Sequence, residues 1–150
     1  MRILEVQGTP SEMGRAQGEA FRDAIHEFLE LRVQNAIRQA FDWGGRRVDR
    51  AQLLAVAQHS EAATRAFHAD GYDELVGIAQ GANLTLPEVL ALNGLTDFRD
   101  VLAWDGQFEA FSGCSAFMVQ QDSTRSGAII AGQTWDLATD NMPFVIGVVR

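Results

Sequence analysis

AFSGCSAFMVQQ, residues 110–121, is the stretch at which the pattern of the chain changes. Upstream of it, apolar residues recur at three- and four-residue steps, the spacing of amphipathic helices. From Cys114 onward they fall in short runs rich in Val, Ile and Phe, which is how strands read. Cys114 is the only cysteine among 150 residues, and it stands directly after the small pair Ser112-Gly113, at the head of the first such run.

Working back toward the start, Thr9-Pro10-Ser11-Glu12 reads as a helix beginning. Thr9 is a natural cap, Pro10 suits the first helical position, and Glu12 completes a capping box. The spacing from Met13 through Phe21, Phe28, Leu29 and Ile37 to Ala40 predicts one long helix that ends near Trp43-Gly44-Gly45. Asp49 with Gln52 opens a second helix to about His68, a third runs from about Asp73 to Ala82, and Thr85 with Glu88 opens a fourth. Residues 9–103 therefore read as a helical layer broken by turns, preceded by a short strand at Ile3–Val6.

Working forward, CSAFMVQQ (114–121) and GAIIAGQTW (127–135) flank the polar loop 122–126, which predicts a hairpin. After the turn ATDNMP, FVIGVVR (144–150) reads as another strand. The predicted class is α/β, of the α+β kind: an N-terminal helical layer followed by antiparallel strands. Three such strands make little of a sheet by themselves, so the chain is expected to be the N-terminal part of a larger protein.

Composition narrows the function. With 12 Lys plus Arg against 20 Asp plus Glu, the formal net charge is -8, which repels a phosphate backbone. Arg46, Arg47 and Arg50 form the one basic cluster, and a few arginines in a loop read as solvated surface, so no nucleic-acid partner is expected. A lone cysteine makes no internal disulfide and asks for no oxidising compartment. The opening MRILEVQGTPSEMG lacks the apolar core of a signal peptide. No stretch approaches the roughly 20 apolar residues that span a bilayer. The expectation is a cytoplasmic protein with no membrane partner. His26, His59 and His68 share no metal-ligand spacing, and neither phosphate-loop nor dinucleotide glycine pattern occurs, so no metal or cofactor is expected.

Cys114 has a bland reading and a chemical one. A free cysteine commonly packs as a small hydrophobe. The preceding glycine, however, leaves the Gly113 carbonyl sterically open to the thiol. An N-to-S acyl shift followed by hydrolysis would free an N-terminal cysteine. Its α-amine, with an ordinary pKa near ~7.7–8.0, would then serve as general base for its own thiol.

Four segments, in order, carry a family resemblance: QGTPSEMGRAQGEA (7–20), YDELVGIAQGANLTLPEVLALN (72–93), SGCSAF (112–117) and AGQTWDL (131–137). Together they resemble the acyl-coenzyme A:6-aminopenicillanic acid acyltransferase (isopenicillin N acyltransferase) family of the N-terminal-nucleophile hydrolase superfamily. The resemblance implies an αββα sandwich, with residues 1–113 as its helical N-terminal segment and 114–150 as the start of its β-sandwich segment. It implies cleavage of the Gly113–Cys114 bond, Cys114 as nucleophile, and Asp136 as the acidic residue that orients the freed amine. It also implies a small-molecule acyl amide or acyl thioester as substrate, with acyl-coenzyme A as one such donor. The oxyanion asparagine and an arginine would come from the remaining C-terminal part of the enzyme, beyond residue 150. Ser112, Ala116 and Thr134 differ from residues frequent in the family.

Two alternatives stand beside this reading. One is a related linear-amide hydrolase of the ceramidase or bile-salt-hydrolase type, although choloylglycine hydrolases keep only a very short segment before the nucleophile. The other is a non-catalytic helical binding module in which Cys114 is packing. The oligomeric state is not encoded in any readable pattern.

Overall fold

The computed structural model describes residues 2–103, 114–134 and 139–150. It divides into two units, Met1–Phe108 with Phe144–Arg150, and Glu109–Pro143. It is helix-rich with two small sheets, consistent with the α+β class.

The first unit begins with β1 (Arg2–Glu5) and α1 (Pro10–Ala20). The capping box at α1 is formed: the Glu12 amide donates to Thr9 Oγ1 at 3.3 Å, and Glu12 Oε2 accepts from the Thr9 amide at 2.8 Å. The predicted single helix from 9 to 43 is two helices. Phe21 (φ −123°, ψ 22°) leaves the helical region, and α2 then runs Arg22–Gly44. The physical reason lies in packing: α1 lies against a later helix, α4 (Ala69–Ala82), whereas α2 lies against α5 (Leu86–Ala103). Gly45, at φ 64°, closes α2 in the left-handed conformation that glycine adopts at little cost.

The helix α3 (Arg50–Phe67) is capped as the sequence predicts, with reciprocal Asp49–Gln52 bonds of 2.9 and 3.0 Å. The third predicted helix starts earlier than Asp73. His68 ends α3 and caps α4 at once, its Nδ1 accepting the Gly71 amide at 2.8 Å. Histidine is not a common cap, so this junction had no local signature. Asn83, at φ 58°, ends α4, and Gly94 kinks α5.

Two glycine pairs set how close α1 and α4 come. Gly14 and Gly18 face the α4 backbone, and Gly77 and Gly81 face the α1 backbone. A Cβ on Gly14 would run into the Glu74 carbonyl, and one on Gly18 would lie 2.5 Å from the Ile78 carbonyl oxygen. The remaining core joins α2, α3 and α5 through Leu29, Val33, Leu53, Ala57, Leu90 and Leu95. Arg50, read from sequence as solvated surface, sits as the sequence predicts at the first position of α3, but it pairs with Glu30 of α2 and, at 2.9 Å, with Glu88 of α5.

The last strand of this unit, β4 (Ile146–Val149), runs parallel to β1, with Arg2 opposite Ile146 and Glu5 opposite Val149. This corrects the expectation that all strands after residue 113 are antiparallel. A parallel partner needs a long crossover, and here everything between residues 5 and 146, the helical layer and the second unit, lies in it.

In the second unit, β2 (Ala116–Val119) and β3 (Ile130–Gln133) form the predicted antiparallel hairpin. Both are shorter than predicted. A 3-10 turn over Gln121–Ser123 and Gly127 at φ 68° take the connecting residues out of extended geometry. Thr124 fastens that loop, its hydroxyl donating to the Ala128 carbonyl at 2.7 Å. Phe117 lies opposite Gly132, and its ring occupies the space a Cβ there would need, 2.5 Å from the nearest ring carbons.

Candidate active site

Cys114 is exposed. It is not the first strand residue, as the sequence suggested; ladder pairing begins at Ala116. One further pair extends the hairpin toward it. The Thr134 amide donates to the Ser115 carbonyl at 2.8 Å, and the Ser115 amide donates to Thr134 Oγ1 at 3.0 Å. The residue after the cysteine is thereby held from both its peptide groups. Thr134 drew notice in the sequence only as a departure from a family pattern. A hydroxyl residue near the end of the predicted strand 127–135 is the signal that would have pointed to it.

Gly113 and Asp136, the other two predicted site residues, lie outside the described residues. The described hairpin fixes the register up to Ser115 and Thr134.

The three histidines each bond to nearby main chain. His26 Nε2 donates to the Ala82 carbonyl at 2.8 Å, His59 Nδ1 to the Ala55 carbonyl at 2.6 Å, and His68 is the α4 cap. Among the described residues no group of three or more His, Cys, Asp or Glu is placed to hold a metal ion. Among the same residues no single helix is long and apolar enough to cross a membrane.

Within the first unit a shallow, open pocket of about 480 Å3 is walled by Phe67, His68, Tyr72, Leu75, Val148 and Arg150, among others. Two of its polar residues are engaged. Tyr72 donates to Glu61 at 2.7 Å, which raises the Tyr72 pKa, and Arg150 pairs with Glu74 at 2.5 Å.

The chain is similar to an acyltransferase. Over 139 residues it is 29% identical to the acyl-coenzyme A:6-aminopenicillanic-acid-acyltransferase 40 kDa form of Emericella nidulans. That alignment covers 93% of this chain and 35% of the fungal protein. The likeness is distant. The chain spans about a third of that relative's length. No protein-family model matches the chain.

Proposed function

We propose that this chain carries the nucleophile of a self-processing, N-terminal-cysteine acyltransferase or amidohydrolase. The observation that carries the reading is the likeness to the fungal acyltransferase along 93% of the chain, in which Cys114 is the one available thiol.

Self-processing would run as follows. The Cys114 thiolate attacks the Gly113 carbonyl carbon, the S–C bond forms, the C–N bond breaks, and the departing nitrogen takes up a proton. Water then hydrolyses the thioester, leaving a Gly113 carboxylate and a Cys114 with free thiol and free amine. Asp136 would lie beside the new amine and stabilise it when it takes the thiol proton. A carboxylate facing an ammonium favours the charged form of both.

In turnover the thiolate attacks an acyl thioester or acyl amide, expelling a thiol or an amine, and the acyl group rests on Cys114 as a thioester. An amine acceptor or water then releases it as amide or acid. The fungal relative is named for acyl-coenzyme A and 6-aminopenicillanic acid. For this chain the proposed substrates are the wider class of small acyl thioesters and acyl amides, with no metal or prosthetic group required by these steps. The oxyanion donors would come from polypeptide outside these residues. In the complete enzyme, residues 1–113 would supply a helical layer and 114–150 the opening strands of an αββα sandwich.

Intact-mass spectrometry of the full-length protein tests the reading. The expected result is one fragment ending at Gly113 and one beginning at Cys114, with Cys114→Ala uncleaved. The same two fragments from the alanine variant would mean that an outside protease cuts, and the reading would fail.

A further inference from the structure

We infer that Thr134 is a positioning residue for Cys114, acting through the peptide that joins the cysteine to Ser115. The inference rests on the reading of Cys114 proposed above.

In a closely bonded antiparallel pair, two residues exchange two backbone N–H···O bonds. At Ser115 and Thr134 one of the two is of that kind, the Thr134 amide to the Ser115 carbonyl at 2.8 Å. In the other, the Ser115 amide donates to the Thr134 hydroxyl at 3.0 Å. The same hydroxyl lies 3.4 Å from the Ser115 carbonyl oxygen, within reach to donate its own proton there. A hydroxyl is both donor and acceptor, so one oxygen serves both peptide groups of Ser115.

The amide held by Thr134 Oγ1 belongs to the Cys114–Ser115 peptide. That unit is planar, so fixing its N–H fixes the plane containing the Cys114 carbonyl and Cα. Before scission the cysteine is also held by Gly113. After scission it is a chain end, and chain ends fray unless tied down. The Thr134 hydroxyl then becomes the first side-chain tether inward of the nucleophile. Its loss should therefore slow acylation of the mature thiol more than self-processing, and should act on the rate of the chemical step rather than on substrate binding.

The test uses the full-length, processed protein and a p-nitrophenyl ester as acyl donor, whose released nitrophenolate reports acylation of the thiol. Thr134→Val keeps the shape and removes the oxygen. It is expected to lower kcat about five- to tenfold, the effect of one modest hydrogen bond, with KM within about twofold. Thr134→Ser, which keeps the oxygen, is expected to recover most of the rate. Thr134→Ala removes the same oxygen without a β-branched side chain and should match the valine variant, which keeps the test intact if valine disturbs folding. Acylation at the unaltered rate in the variants without the oxygen, or a serine variant as slow as valine, would overturn the positioning role. A Cys114→Ala protein that still releases nitrophenolate at the unaltered rate would overturn the reading of Cys114 itself, and the positioning role with it.

Discussion

Phe28 of α2 and Phe144 stack with ring centroids 4.6 Å apart and planes 19° from parallel. The contact fastens a residue just ahead of β4 to a helix near the beginning of the chain. The parallel pairing of β1 with β4, the Val6 amide on the Val149 carbonyl at 2.9 Å and the Arg150–Glu74 ion pair hold the same junction. Every one of these contacts joins a residue before position 113 to one after position 114.

Cleavage at Gly113–Cys114 should therefore cut the chain without separating its parts. The two fragments are expected to co-elute in native size-exclusion chromatography and to separate only in denaturant. Phe144→Ala removes the stacked pair, worth about 0.5–1.5 kcal/mol beyond its buried area, and should lower the denaturant concentration at which they part. Native elution as two separate fragments would contradict this.

The glycine contacts between α1 and α4 predict a steep cost for one added methyl. Gly14→Ala or Gly77→Ala places a Cβ against main-chain carbonyls that have no rotamer to escape through. The helices must move apart, at a cost of about 1–3 kcal/mol or more. Gly45→Ala meets no neighbour within 4 Å, but its φ of 64° disfavours alanine, so about 1–2 kcal/mol is expected there. Chemical denaturation of the three variants would rank them, and Gly14→Ala at unaltered stability would show that the helices are not in backbone contact.

Acid should loosen the corner where α2, α3 and α5 meet. Burial acts to raise the Glu88 pKa, but the Thr85 amide and hydroxyl and the Arg50 guanidinium outweigh it, and the net shift is downward. A carboxyl whose folded pKa is depressed stabilises the fold above its unfolded value and loses that stabilisation as pH falls through the folded one. The expected loss thus begins near the ordinary glutamate value of about 4.3 and deepens below it. Glu88→Gln keeps the capping partner of Thr85 but removes the charge at Arg50, and should cost up to about 1 kcal/mol at neutral pH while flattening the acid limb. Thermal midpoints of both proteins from pH 7 to 3 check this, and parallel curves would exclude Glu88 as the titrating group.

Asp136→Asn keeps size and loses charge. On the proposed role the variant folds but processes and acylates at least about tenfold more slowly, the loss expected from one charge-assisted hydrogen bond of about 1.5–3 kcal/mol. Processing and turnover at the unaltered rate would make Asp136 an ordinary turn residue, a place where Asp commonly bonds main-chain amides.

What the sequence by itself determined is local. The Thr9–Glu12 and Asp49–Gln52 capping boxes sit where their spacing put them, because a cap needs only residues three apart and the amides the helix leaves open. The β2–β3 hairpin likewise follows from two apolar runs and a polar loop. Cys114 was legible as a lone thiol after glycine, while Gly113 and Asp136 rest on the sequence and on proposal alone. Tertiary structure decided the rest. Phe21 breaks the first long helix although nothing at that position forbids helix, since α1 and α2 each bury against a different partner. Arg50, read as a solvated charge, became a link among three helices because the fold brings Glu30 and Glu88 to it. The parallel partnership of β1 with β4 left no mark in either strand, because a pairing between residues roughly 140 positions apart depends on where the intervening chain returns. The bond between Thr134 and Ser115 needed the hairpin register first, for a hydroxyl binds whichever peptide the fold brings within about 3 Å.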